Sequence, residues 1–331
     1  MKRTLFTALT VAAFAISVGA TSVSAKNLRV TSQLSPKHPI TANLIDFKNI
    51  VEKKSGGKLT IEIFHSAQLY KDKEVPQAVA SGAIDMGTAS LTRFAGTIPA
   101  VDMFYVPFLL PSQDLAKKAS AQGSTIRGPL DAAILKTGAR VLWWQSLGGA
   151  IFMSKEPING PADVKGKKVR VFGKTLGTFV EVLGGAPAVI SGSSQFLAYQ
   201  RGTVDAGMST AAAVKSRKIY EVLNHITITN HASVWFVVII NEKVWKGLTK
   251  DEQALINEAG KMVETNLADS IVAKDLAVID FVRKETKMGV IDQTPAQIKA
   301  WQDASKPVVD LYIKAAGPLG QQMVDAAKAL K

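Results

Sequence analysis

The six-residue unit Gly-x-x-Asp-x-Gly occurs twice in this chain, as Gly82-Ala-Ile-Asp-Met-Gly87 and as Gly202-Thr-Val-Asp-Ala-Gly207. Each copy follows an amphipathic stretch, Glu74 to Ser81 and Ser194 to Arg201, and opens into a short apolar run. A helix that ends on a left-handed glycine and hands over to a buried strand explains the first half of the unit. The second glycine marks a place where the missing Cβ lets another group approach the backbone. Two such units predict two similar α/β lobes. A chain built that way either does chemistry between its lobes or closes them around a ligand.

The first 25 residues read as an export signal and not as part of the fold. Lys2 and Arg3 form a positive start, Leu5 to Ala20 an apolar stretch, and Val23-Ser24-Ala25 a small-residue cleavage site, with the cut expected between Ala25 and Lys26. The apolar run is short for a membrane span and holds Thr, Ser and Gly. Export of the mature chain to a bacterial periplasm is the expectation. Cysteine is absent, and a chain of this length buries enough surface to fold without disulfides. With four scattered histidines and no cysteine, no metal site and no cofactor are expected. The full chain carries +13, and dropping Lys2 and Arg3 leaves +11. The lysines are scattered over helices instead of lying in a stripe interleaved with aromatics, so no nucleic-acid partner is expected.

Along the chain, strand and helix patterns alternate. Lys26–Ser32, Leu59–Phe64 and Ala83–Ala89 read as strands around a helix from about Thr41 to Lys54 and the helix of the first repeated unit. Ala139–Trp144, Gly166–Val171, Ala188–Ile190 and Thr203–Met208 repeat the plan, with a helix from about Thr175 to Leu183. This β-α-β order predicts mostly parallel sheets flanked by helices. The apolar run Ser233–Asn241 reads as a strand returning to the first lobe, and from Thr249 onward the pattern is helical.

Motifs for catalysis are missing: there is no Gly-x-Ser-x-Gly, Walker A loop, Gly-x-Gly-x-x-Gly or His-Glu-x-x-His. The chain is therefore not expected to be an enzyme. Arg170 stands out, because it lies between Val169 and Val171 in a strand, near the sheet end where ligands bind in open α/β folds. It serves either a structural ion pair or, through its planar fork, a ligand carboxylate.

The stretch Ala162-Asp-Val-Lys-Gly-Lys-Lys-Val-Arg170, the segment Tyr199-Gln-Arg-Gly-Thr-Val-Asp205, Gln68-Leu-x-x-Asp-x-Glu74, Tyr105-Val-Pro-Phe-Leu109 and Asn241-Glu-Lys-Val-Trp-Lys-Gly-Leu-Thr249 resemble the DctP-type solute-binding proteins of TRAP transporters. The resemblance runs over the whole mature chain in order. It implies a two-lobed periplasmic binding fold of type II-like architecture with a long helix bracing both lobes. Lobe I would comprise 26–147 plus about 234–275, and lobe II 148–233 plus about 276–331. It further implies delivery of a small carboxylate to membrane permease subunits; a monomer is expected. Arg170 matches the arginine that holds the ligand carboxylate, Ser209 falls where an asparagine commonly lines the site, and Glu74 falls at a contact position of some members. A capping or ion-pair role for Glu74 fits as well.

The chain departs from that pattern at Gly149, where sialic-acid-type members carry a second arginine, at Gly192-Ser193-Ser194 in place of Trp-Gly-Glu, and at Ala206-Gly207-Met208-Ser209 in place of Gly-Gln-Glu-Asn. One arginine, with room made at Gly149 and Gly192, favours an aromatic or bulky hydrophobic monocarboxylate over a C4-dicarboxylate. Phe172 and Trp235, with Trp143 and Trp144, are candidates for flat walls, and Arg93 and His38 for replacing the missing charge.

Overall fold

The computed structural model describes residues 25–330, so the expected export signal lies outside the described residues but for Ala25. Eleven strands occur among them: β1 (Lys26–Ser32), β2 (Leu59–Phe64), β3 (Met86–Ser90), β4 (Ala139–Gly149), β5 (Ile151–Ser154), β6 (Lys168–Val171), β7 (Ala186–Val189), β8 (Ala206–Ser209), β9 (His225–Thr227), β10 (Ser233–Asn241) and β11 (Gly289–Ile291). They form two sheets, ordered β2-β1-β3-β10-β4 and β11-β9-β5-β8-β6-β7. Each sheet is parallel except for one strand, β10 in the first and β5 in the second, which runs against both neighbours. Helices cover both sheets, and the fold is the two-lobed α/β architecture expected.

The repeated unit does the same structural job in both lobes. The helices Val75–Ser81 and Gln195–Gln200 run into Gly82 and Gly202, whose φ values of 81° and 67° turn the chain back toward a strand. Ile84 and Val204 are buried beneath each sheet. The two aspartates then secure the neighbouring strand. Asp85 accepts the Arg29 amide of β1 at 2.9 Å, and Asp205 accepts the Lys168 amide of β6 at 2.8 Å. The second glycines are close-packing points. A Cβ at Gly87 would lie 2.5 Å from Val75, and one at Gly207 would lie 1.8 Å from the Tyr199 hydroxyl and 3.0 Å from the Arg170 side chain. Both strands begin later than the pattern predicts, because the turn after each left-handed glycine consumes Ala83–Asp85 and Thr203–Asp205.

Two long helices brace the lobes. Lys250–Glu285 starts with a capping box from Thr249 and Glu252, packs on β4 and the helix Pro39–Lys54 of the first lobe, and continues against Ala211–Ser216 and β11 of the second. The helical segment Pro295–Ala329, kinked at Gly317, packs against both Pro99–Tyr105 and the helix Lys174–Val182. The short β11 interrupts what the sequence pattern presents as continuous helix. Pro39 occupies the first turn of its helix, where a missing N–H costs nothing, so that helix begins earlier than expected.

The chain crosses between the sheets at Gly149–Ile151 and at Asn230–Ser233. The two crossings are tied to each other, Ala150 N to Ala232 O at 2.8 Å and His231 N to Ala150 O at 3.2 Å. Asp275 of the long helix reaches this hinge, with its carboxyl against the backbone amides of Gly149 and Ala212 and no cation beside it. Burial pushes the Asp275 carboxyl up to about 7. A carboxyl raised above its unfolded value favours the folded state when protonated, and that contribution is lost as pH rises from about 4 toward 7. Asp275→Asn keeps an amide-accepting oxygen without the charge. Thermal denaturation is expected to show Asp275→Asn melting several degrees above wild type at pH 8 and level with it at pH 4.

Candidate ligand-binding site

The C-terminal end of β6 delivers Arg170 between two buried valines, with only 2% of the arginine exposed. Its guanidinium is held by backbone carbonyls alone. Nε and Nη2 donate to Ile190 O at 2.9 and 2.7 Å, and Nη1 donates to Met208 O at 2.6 Å. No carboxylate pairs with it among the described residues, which leaves the structural ion pair without a partner. Burial pulls Arg170 down to about 9, still fully protonated at neutral pH. The ring of Phe172 sits 5.4 Å from the guanidinium carbon and meets Tyr105 of the first lobe edge-on at 5.5 Å.

A second guanidinium, Arg217, shares this floor. It follows the helix Ala211–Ser216 and folds back so that Nη1 donates to Gln195 Oε1 at 2.6 Å and to Ser209 Oγ at 3.3 Å. Its Nε is enclosed without a hydrogen-bond partner. Burial lowers it to about 10, so it too carries its proton. The absence of a side chain at Gly192 is what admits it: a Cβ there would lie 2.8 Å from Nη2 of Arg217. The room expected at Gly192 for a bulky ligand is thus filled by a cation.

The first lobe faces this floor with Gln33, His38, Asp72, Thr92 and Arg93. Asp72 is buried, accepts the Ser90 amide at 2.9 Å and the Ser90 hydroxyl at 2.7 Å, and pairs with Nε of Arg93. That leaves Nη2 of Arg93 enclosed without a partner. His38 caps the helix Pro39–Lys54, its Nδ1 accepting from Ile40 N at 3.3 Å, and its Nε2 is likewise enclosed and unpartnered. Burial first, and the Arg217 charge second, hold this imidazole well below its ordinary value, so it is neutral. Of the four buried side-chain nitrogens without a partner among the described residues, three belong to Arg93, Arg217 and His38 at this junction.

The lobes are closed on one another. Ser193 N donates to Gln33 Oε1 at 3.2 Å and Thr175 N donates to Asp102 Oδ2 at 3.2 Å across the cleft. A Cβ at Gly173 would lie 2.1 Å from Oγ1 of Thr92 on the opposite lobe. A cavity of about 370 Å³ at the rim is lined by Arg93, Asp102, Gly173 and the apolar face of Val308, Leu311 and Tyr312.

Of the residues singled out from the sequence, the structure brings Arg170, Phe172, Ser209, His38 and Arg93 to this junction. Three others lie elsewhere. Glu74 is exposed and closes its own loop by accepting the Lys71 amide at 2.8 Å; Asp72, two residues earlier, is the acid of the cleft. Trp235 is in the core against Trp144 and Phe104, its indole N–H donating to Ser233, because β10 is buried along its whole length and on both faces. Gly149 is a hinge residue with Asn230 packed over it, so a Cβ would lie 2.2 Å from Asn230 Oδ1, and the cavity of about 280 Å³ that it borders is lined by Asn230 and Asp275 and not by Arg170. Trp143 and Trp144 are core as well. Sequence reading missed Arg217, which in Lys215-Ser216-Arg217-Lys218 looks like a solvated charge run, and missed Gln33, Asp72 and Gln195. The readable signal was the run Gly192-Ser193-Ser194, whose small side chains vacate a space next to a cationic segment.

The family model of bacterial extracellular solute-binding proteins, family 7 (DctP), matches residues 30–315. The chain belongs to this DctP family. It is 26% identical over 306 residues to the C4-dicarboxylate-binding periplasmic protein DctP of Rhodobacter capsulatus, covering 91% of this chain and 90% of that one. It is 28% identical over 300 residues to the 2,3-diketo-L-gulonate-binding periplasmic protein YiaO of Escherichia coli K12, covering 88% and 89%. Among solved structures, a TRAP periplasmic solute-binding protein of Shewanella oneidensis with bound succinate superposes with a TM-score of 0.87 at 24% identity, covering 92% of this chain and 99% of that one. A Bordetella pertussis extracytoplasmic solute receptor that binds pyroglutamic acid also gives 0.87, at 21% identity and 92% and 100% coverage. This DctP-family protein thus has the fold of TRAP solute-binding proteins and is distant in sequence from each of these relatives.

Gly173→Ala tests the closed junction. Its extended backbone accepts alanine, but the methyl meets Thr92 only when the lobes are shut. The expected result is an apo melting temperature within about a degree of wild type and ligand affinity reduced roughly tenfold, about 1.4 kcal/mol, by calorimetry.

Proposed function

We propose that this protein captures a small organic acid with two anionic ends, a short dicarboxylate, between its lobes and presents it to the membrane subunits of a TRAP permease, in the periplasm after removal of its export signal. The observation that carries the reading is the pair Arg170 and Arg217, two guanidiniums on one floor with neither paired to an acid among the described residues. Arg93 and Asp72 cancel each other, burial favours the neutral acid at Asp102, and His38 is neutral. An enclosed charge without a counterion costs several kcal/mol, and two adjacent cations cost more through their repulsion. A dianion offsets both. A bulky aromatic monocarboxylate, favoured by the count of one arginine, offsets only one. Names of relatives that bind C4-dicarboxylates, and solved neighbours holding succinate, support the same class. The role is capture and release, with no chemistry on the ligand.

Closure takes the ligand out of water, which strengthens each ion pair, and opening of the lobes at the permease releases it. Calorimetry with succinate, pyroglutamate, gulonate and benzoate at pH 7.5 tests the reading. Succinate is expected to bind most tightly, Arg170→Ala to abolish detectable binding, and Arg217→Gln to weaken succinate by about 2–5 kcal/mol while leaving monocarboxylates nearly unchanged. Benzoate as the tightest ligand would overturn it.

A further inference from the structure

Gln195 is fully buried beside the two guanidiniums, and no sequence motif accounts for it. It opens the short helix Gln195–Gln200, which the second repeated unit terminates. Its side chain makes two bonds of opposite polarity. Oε1 accepts from Nη1 of Arg217 at 2.6 Å, and Nε2 donates to the Tyr199 hydroxyl at 2.7 Å. Tyr199 lies one helical turn on and is buried, with Gly207 between its hydroxyl and the Arg170 side chain, so close that any side chain at Gly207 would displace the hydroxyl. A line of packed groups therefore runs from Arg217 through Gln195, Tyr199 and Gly207 to Arg170.

We propose that Gln195 is the residue that sets this protein's preference for dianions, by holding Arg217 at a fixed separation from Arg170 with a neutral group that leaves its charge uncancelled. The argument rests on the dicarboxylate reading above. Two guanidiniums on one floor repel, and Arg217 has long side-chain freedom to swing toward solvent. A carboxylate at position 195 would hold it as firmly, but would turn its charge inward and leave a site with one net cation. An apolar residue would leave the charge and release the position. Only the amide keeps both, because its oxygen takes the arginine while its nitrogen donates to the phenol. The glycine of the second repeated unit then has a defined role: it makes room for the hydroxyl against which the amide is braced.

The test compares succinate with butyrate, a monoanion of the same chain length, by calorimetry on the full-length mature protein. Wild type is expected to prefer succinate by about 100-fold, equivalent to about 2.7 kcal/mol. Gln195→Glu is expected to lose nearly all of that ratio, with succinate weakened about 100-fold and butyrate within about threefold. Gln195→Leu is expected to weaken succinate about tenfold and retain part of the ratio. In an Arg217→Gln background, Gln195→Leu is expected to change the ratio no further, a coupling that a merely structural role would not produce. Apo melting temperatures show whether each variant is folded, and Gln195→Leu decides the matter should Gln195→Glu fail to fold: a succinate affinity equal to that of wild type would overturn the inference. A wild type without the preference overturns the dicarboxylate reading and this inference with it. A wild type that prefers succinate beside a folded Gln195→Glu that prefers it equally overturns the inference alone.

Discussion

The cleft depends on two guanidiniums, the buried Arg170 and the half-buried Arg217, that stand without counterions among the described residues. Arg170 is locked by three bonds to backbone carbonyls, and Arg217 by Gln195 and Ser209. Backbone carbonyls and a neutral amide fix the geometry of a cation without cancelling its charge, which is what a receptor for anions requires and what a structural ion pair prevents. The contrast with the rest of the molecule is direct. Arg127 and Arg140, also packed on aromatic rings, are each paired with a carboxylate and serve the fold.

Around that pair, the architecture supplies floor, lid and hinge. The second sheet and the helix Gln195–Gln200 make the floor, and the first-lobe loops bearing Gln33, Thr92, Arg93 and Asp102 close over it. The chain passes between the sheets on two segments that hydrogen-bond to each other as a narrow ribbon. The helix Lys250–Glu285 crosses the same line a third time and places Asp275 on the ribbon.

Much of the fold was legible in the sequence because its signals are local. The glycines at 82 and 202 announce helix ends, the apolar runs announce strands, and Arg170 announces itself as a charge flanked by valines. The strands of the repeated units are shifted because turn geometry takes up residues that hydropathy assigns to the strand. The site was less legible because its second cation is defined by a side-chain trajectory. Arg217 is one of four charged or polar residues at a helix end, and only the vacancy at Gly192, distant in sequence, draws it inward. Counting one arginine led to a monocarboxylate. The same count missed that the small residues at 149 and 192 are packed against other protein groups, Asn230 and Arg217. Asp72 and Glu74 show the same limit: both are acids of one loop, and folding turns the first inward and the second to solvent.

If Arg170 and Arg217 together take one dianion, a crystal structure of the succinate complex will show one carboxylate on Arg170 and the other within hydrogen-bond distance of Arg217, with Gln195 still bound to Arg217. A ligand held by Arg170 alone, with Arg217 paired to a protein acid or turned to solvent, would contradict it.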